Sequence, residues 1–127
     1  MINDLLREIN ALDFDHEAVP IDIPAALIPE HKVVVYNPTL VTPYYLTHEI
    51  IHIEEQHHRR LFSFNGNDER NPNERIAEDE AIHRLVKHHL SLNGRYNYLD
   101  IMMIYGIPTY LESSVIREMS DINMYAN

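Results

Sequence analysis

The chain has 127 residues, of which 45% are hydrophobic, and it carries a net charge of −10 with no cysteine. This length suits one hydrophobic core, so we expect a single domain covering residues 1–127. An acidic chain is repelled by phosphate backbones, which argues against direct nucleic-acid binding. The lack of cysteine excludes disulfides and thiolate ligands, so any metal site must be built from histidine and carboxylate side chains.

The cytoplasm is the location that the sequence favours. No apolar run reaches the roughly 18–20 residues that a membrane-spanning helix needs. The start of the chain, Met1–Asp4, lacks the basic and apolar stretches of a secretory signal. We therefore expect a cytoplasmic protein without a membrane partner, and the sequence does not indicate its oligomeric state.

The first third of the chain predicts one helix followed by extended segments. Apolar residues recur at helical spacing over residues 3–12. Residues 13–31 contain three prolines and are expected to be extended or irregular. The β-branched run Val33–Tyr36 predicts a strand, and a partner strand is expected within residues 20–28.

The rest of the chain predicts helices. Thr42 followed by a proline is typical of a helix start, with Thr42 as the N-cap, and this helix is expected to run from residue 43 to about residue 60. Residues 63–71 have the composition of a loop. Three further helices are predicted at 72 to about 90, 98–105 and 108–124. The expected fold class is α+β, mostly helical, with a small sheet or hairpin before the helix at residue 43.

That helix contains the sequence His48-Glu49-Ile50-Ile51-His52. Imidazoles four residues apart lie on one face of an α-helix and can bind one metal ion. The carboxylate of Glu49 then lies beside a water activated by that metal and can act as its general base. This pattern is typical of a zinc hydrolase.

A third ligand is expected from the helix at 72–90, because a catalytic zinc usually takes three protein ligands and one water. On a helical wheel Glu78 falls near the centre of the apolar face of this helix. A carboxylate in an apolar stripe is costly unless it is paired or binds a metal. We therefore predict Glu78 as the third ligand, with Glu74 in reserve. The alternative, that Glu78 pairs with a nearby arginine, stays open.

These residues resemble the ImmA/IrrE-type metallopeptidases, small zincin-like proteins common in phages and mobile elements. The resemblance rests on the strand Val33–Tyr36, the motif His48–His52, the element Glu78–Ala81 and the segment Tyr105–Val115. It covers roughly residues 20–120, and the two motifs together are more specific than the helix motif alone.

The resemblance implies a gluzincin, a zinc peptidase with two histidine ligands and one glutamate ligand. His48, His52 and Glu78 would bind zinc, and Glu49 would be the general base. Relatives cleave helix-turn-helix repressors, which implies a zinc metalloendopeptidase whose protein substrate is such a repressor. No helix-turn-helix is evident in this sequence, so the repressor would be a separate protein.

Two positions depart from the pattern of the resembling family. Relatives often have a small residue before the second histidine, where this chain has Ile51. They often have Asn or Asp directly after the Glu-x-x-Ala element, where this chain has Ile82. A polar side chain there commonly orients a ligating imidazole, and losing such a partner typically costs about 10–100-fold in affinity or activity.

The sequence leaves the residue that stabilises the transition state undecided. The reacting carbonyl needs a hydrogen-bond donor in addition to the metal, and the candidates are His57, His58, His83, Tyr44 and Tyr45. The strand Val33–Val35 could be a sheet edge that holds a peptide substrate, or could serve the core alone. The alternatives to a peptidase are a non-catalytic partner-binding protein with a degenerate or structural metal site, and a zinc hydrolase of small molecules.

Overall fold

The computed structural model describes residues 1–59, 72–92, 94 and 97–126, with side chains over 1–55, 74–92, 94 and 97–122. Within these ranges the chain forms five α-helices and one three-stranded sheet. The helices are α1 (Ile2–Ala11), α2 (Pro43–Arg59), α3 (Pro72–Ser91), α4 (Tyr98–Tyr105) and α5 (Glu112–Ala126), and the strands are β1 (Asp15–Ala18), β2 (Ala25–Ile28) and β3 (Val33–Tyr36). The predicted α+β class is confirmed, and the predicted loop at 63–71 lies outside the described residues.

The sheet has the order β1-β3-β2, so the strand predicted at Val33–Tyr36 is the central one. β2 pairs antiparallel with β3, which confirms the partner strand expected within 20–28. β1 pairs parallel with β3, and its polar sequence gave no strand signal. Because β3 has a partner on each side, it is not a free edge for a peptide, and of the two alternatives left open for Val33–Val35 the edge is excluded. The edges are β1 and β2.

Helix α2 lies between two clusters of buried apolar side chains. One face of α2 contributes Leu46, Ile50 and Ile53 to a cluster shared with α1 and the sheet. Another face contributes Tyr44 and Ile51 to a cluster shared with α3, α4 and α5. Burial of both faces fixes how α2 is rotated about its axis, and it leaves the face with the two histidines for the functional site.

The turn after α4 is joined to the start of α2. Gly106 ends α4 with a positive φ of 64°, a backbone conformation that glycine adopts without strain. The Thr42 hydroxyl donates to the Gly106 carbonyl oxygen at 3.1 Å, and a side chain at position 106 would collide with Thr42. Thr42, predicted as the N-cap of α2, directly precedes the first residue of the helix, and its carbonyl oxygen accepts from the Leu46 N–H at 3.3 Å. Its hydroxyl ties the α4–α5 connection to this helix.

No helix in the part of the chain that the structure describes combines the length and the apolar character needed to cross a bilayer.

Candidate metal centre

The side chains of His48 and His52 on α2 converge with Glu74 in the first turn of α3. One ligand atom from each of the three residues lies within 4.8 Å of the others. His48 Nε2 is 3.3 Å from Glu74 Oε2, and His52 Nε2 is 2.8 Å from Glu74 Oε1. The predicted pair of imidazoles is therefore brought together on one helix face, with the same ring nitrogen of each facing a carboxylate.

Neighbouring rings restrict the orientation of the two imidazoles. His48 stacks on the buried ring of Tyr44, with centroids 5.9 Å apart and an interplanar angle of 24°. His48 and His52 meet edge to face at 4.6 Å. The side chains of His48 and His52 are 14% and 20% exposed, whereas that of Glu74 is 40% exposed, so the group opens to solvent beside Glu74.

The other ring nitrogen of each histidine also faces a carboxylate. His48 Nδ1 lies 3.6 Å from Glu49 Oε1, and His52 Nδ1 lies 3.8 Å from Glu55 Oε2. Both distances exceed the usual hydrogen-bond range, so these contacts act mainly through charge in this geometry. Each imidazole thus lies between two carboxylates.

Charge coupling changes the protonation of this group. Burial alone would lower the pKa of His48, but the carboxylates of Glu49 and Glu74 beside its two nitrogens raise it to about 9. Contacts with His48 and His52 hold the pKa of Glu74 well below its usual range, against the opposing effect of burial. Without a cation, protonated His48 and ionised Glu74 therefore form an ion pair, and a metal ion must displace the proton of His48 to bind.

The donor set fits a divalent transition metal. Two imidazoles and one carboxylate are a ligand set of catalytic zinc sites, and imidazole also suits copper, iron and nickel. Among the described side chains, the group of His, Asp and Glu close enough to share an ion is limited to these three. These three ligands from the described part of the chain fill three of the four positions of a tetrahedral zinc ion, and catalytic zinc sites keep the fourth for water.

Glu78, predicted as the third ligand, is not in this group. The Tyr110 hydroxyl donates to Glu78 Oε2 at 2.7 Å, and Glu74, the reserve, is the carboxylate that reaches the imidazoles. The two glutamates are one helical turn apart and share a face of α3, so the wheel could not separate them. What separates them is the way α3 packs, which brings its first turn to the imidazoles.

The side chains predicted as candidate hydrogen-bond donors to the reacting carbonyl lie in different surroundings. His83 Nδ1 is 2.7 Å from Glu118 Oε2, so α5 holds this ring. Tyr44 is buried against His48. Tyr45 packs edge to face against Tyr44. The side chains of His57 and His58 lie outside the described residues.

Tyr110 is a group near the site that the sequence analysis did not single out. Tyr110 is 70% exposed. Partial desolvation of its hydroxyl, the hydrogen bond to Glu78 and the charge of Glu74 raise the pKa of Tyr110 above its usual range, so this hydroxyl stays protonated and can donate. It lies in a short 3₁₀ turn, Thr109–Leu111, after Pro108. No periodic pattern marks a residue in such a turn, and only its place in the fold brings it to Glu78.

The two departures from the family pattern, Ile51 and Ile82, are both buried in the cluster that α2 shares with α3, α4 and α5. Neither side chain offers a polar group to the imidazoles.

Comparison of the chain with protein-family models, with curated proteins and with solved structures gives no match. The resemblance to ImmA/IrrE-type peptidases therefore stays an expectation from the motifs.

Proposed function

We propose that this protein is a zinc-dependent metallopeptidase of the zincin-like, gluzincin type. The observation that carries the proposal is the convergence of His48, His52 and Glu74 from two helices, with ligand atoms within 4.8 Å of one another. Glu49 extends the argument, because it directly follows the first histidine and lies against that ring. The same spacing of histidines and glutamate serves metal ligation and proton transfer in zinc peptidases.

The roles of the side chains follow from their chemistry. A divalent cation held by this group would supply Lewis acidity, which polarises a carbonyl and makes water nucleophilic near neutral pH. Glu49 takes the proton from the attacking water on a carboxylate oxygen and passes it to the leaving amine. His48, His52 and Glu74 hold the ion. The Tyr110 hydroxyl would donate to the reacting carbonyl by leaving Glu78 Oε2, to which it donates in this structure.

The substrate class comes from the sequence resemblance and not from the site itself. We propose a helix-turn-helix repressor of a phage or mobile element as the protein substrate, cleaved at a specific site in the cytoplasm. The net charge of −10 supports this choice, because DNA-binding repressors carry basic surfaces that an acidic protein attracts.

The test compares the zinc-loaded chain with Glu49→Gln, a substitution that leaves the three proposed ligands in place. Both proteins are incubated with a complex peptide library and with purified helix-turn-helix repressors, and new termini are identified by mass spectrometry. We expect both proteins to bind about one zinc ion, and only the unchanged chain to produce new termini. Equal cleavage by the two proteins would remove Glu49 from its role.

The competing function is a partner-binding protein without catalysis. One observation favours it: Glu74 contacts both imidazoles directly, at 3.3 and 2.8 Å, so the three side chains have polar partners in one another without a metal. Binding of the repressor without new termini, by a chain that retains no zinc after dialysis, is the outcome that would select this function.

A further inference from the structure

The ring of His52 is held between two carboxylates from different helices. Its Nε2 lies 2.8 Å from Glu74 Oε1, and its Nδ1 lies 3.8 Å from Glu55 Oε2. Glu55 follows His52 by three residues on α2, so the helix itself brings its side chain alongside the ring. The side chain of Glu55 is 23% exposed, which limits the water that competes for its oxygens.

The neighbouring acid on α2 has a different partner. Glu54 is bound by the Arg84 guanidinium from α3, which joins the two helices on another side of α2. The ion-pair contact of Glu55 is with His52. Of these two adjacent glutamates, Glu54 joins α2 to α3 through Arg84, and Glu55 contacts the candidate metal ligand His52.

A histidine that ligates through one nitrogen carries its proton on the other. A carboxylate beside that N–H fixes the tautomer and the ring orientation, and it makes the ligating nitrogen a stronger donor. The carboxylate beside Nδ1 of His48 is Glu49, which the proposed reaction needs for proton transfer. For His52 it is Glu55, which has no other part in that reaction.

We propose that Glu55 is a positioning residue: its Oε2, 3.8 Å from His52 Nδ1 in this structure, moves within hydrogen-bond distance of the Nδ1–H when Nε2 of that ring binds the metal ion, and so holds Nε2 towards the ion. The inference rests on the metal site of the proposed function, and it extends that site by a carboxylate outside the ligand set. Glu55 acts only through His52, so its removal weakens the site without removing a ligand.

The experiment measures zinc affinity of the full chain by competition with a chromophoric chelator. The variants are Glu55→Ala and Glu55→Met, which both remove the acceptor, and Glu55→Gln, which keeps an acceptor oxygen. Met keeps the length and helix preference of the side chain, so it gives a reading should the alanine variant fold poorly. Glu80→Gln is the matched control, because it removes one acid of α3 whose described contact is Arg84.

We expect Glu55→Ala and Glu55→Met to weaken zinc binding by about 10–100-fold. Glu55→Gln should recover part of this loss, and Glu80→Gln should bind as the unchanged chain does. A second reading comes from histidine side-chain NMR of the zinc-loaded protein. The Nδ1–H signal of His52 should be protected from solvent exchange in the unchanged chain and should exchange faster in the two variants without an acceptor.

Unchanged zinc affinity in Glu55→Ala and Glu55→Met would overturn the positioning role, and so would an unchanged exchange rate of the His52 Nδ1–H. This failure is distinct from failure of the peptidase proposal. A chain that binds zinc in a Glu55-dependent way but yields no new termini keeps the positioning role and loses the catalytic one. A chain that binds no zinc loses both.

Discussion

His52 and Glu74 are in direct contact, with Nε2 of the ring 2.8 Å from Oε1 of the carboxylate. Twenty-two positions separate them, and they lie on different helices. This contact therefore depends on how α3 packs against α2. It identifies the first turn of α3 as the segment that completes the candidate metal site.

The first prediction separates the two glutamates of α3. Glu74→Ala should weaken zinc binding by more than the roughly 10–100-fold cost of losing an outer partner, because it removes a ligand. Glu78→Ala should bind zinc nearly as the unchanged chain does, because the contact of Glu78 is with Tyr110. Competition with a chromophoric chelator measures both variants. The reverse order of affinities would return Glu78 to the ligand set.

The second prediction concerns the pH dependence of zinc binding. The carboxylates of Glu49 and Glu74 outweigh burial and raise the pKa of His48 to about 9, so the metal-free protein keeps this proton through neutral pH. Zinc must displace it, and the apparent affinity should therefore rise with pH until about pH 9. Calorimetry in buffers of different ionisation enthalpy would detect the released proton.

Glu49→Gln is the control for this titration, because it removes one of the two charges that raise the pKa of His48. The rise in affinity should then end at a lower pH. Stability of the metal-free protein changes in the opposite direction from zinc affinity. The contribution of the protonated ring is complete below its ordinary pKa of 6.5, and it is lost as the pH rises through the raised pKa of about 9. A zinc affinity independent of pH would contradict this account.

The third prediction concerns the turn that joins α4 to the start of α2. Gly106→Ala should lower the free energy of unfolding by at least about 1–2 kcal/mol, the usual cost of a left-handed conformation for a residue with a side chain. The added methyl group would also collide with Thr42. Urea unfolding measures the change.

Thr42→Ser in the Gly106→Ala background should recover only a small part of this loss, because serine lacks the methyl group but keeps the Cβ, which the added atom meets just as closely. The serine hydroxyl can still donate to the carbonyl at position 106, as that of Thr42 does. An unfolding free energy equal to that of the unchanged chain in Gly106→Ala would show that neither the backbone conformation nor the collision is costly.

The fourth prediction concerns Ile51, which departs from the small residue common in the resembling family. Ile51 is only 3% exposed and belongs to the cluster shared with α3, α4 and α5. Ile51→Ala should therefore cost about 2–5 kcal/mol of stability and should not tighten zinc binding. Ile104→Ala is the matched control, because Ile104 is 56% exposed and its truncation should cost less than about 0.5 kcal/mol. Tighter zinc binding by Ile51→Ala would show that the isoleucine crowds the site.

Local sequence signals were sufficient for most of the helices. Helical periodicity and the prolines at 43 and 72 predicted α2 and α3 at nearly the bounds that the structure has. The spacing of His48 and His52 was enough to place both imidazoles on one face, because that geometry depends only on the helix between them. The β-branched run of β3 was likewise readable from its composition.

Local sequence signals could not predict which distant segments pair as strands. β1 has the sequence Asp-His-Glu-Ala and is a strand only because its backbone hydrogen-bonds along β3. The central position of β3 follows from the same pairing, and it excludes the edge, one of the two roles that the sequence left open for this strand. Strand neighbours are set by contacts far apart in the chain, which no local pattern encodes.

The sequence by itself determined which side chains are available to the candidate metal centre: two imidazoles on one helix face, a glutamate beside them, and no thiol to compete as a ligand. The tertiary structure decided which distant groups join them. Glu74 and Glu78 are equivalent by helical periodicity, and only the packing of α3 against α2 brings the first to the imidazoles while the second meets Tyr110. The physical reason is that periodicity fixes directions within one helix, whereas the buried faces of two helices fix where those directions meet.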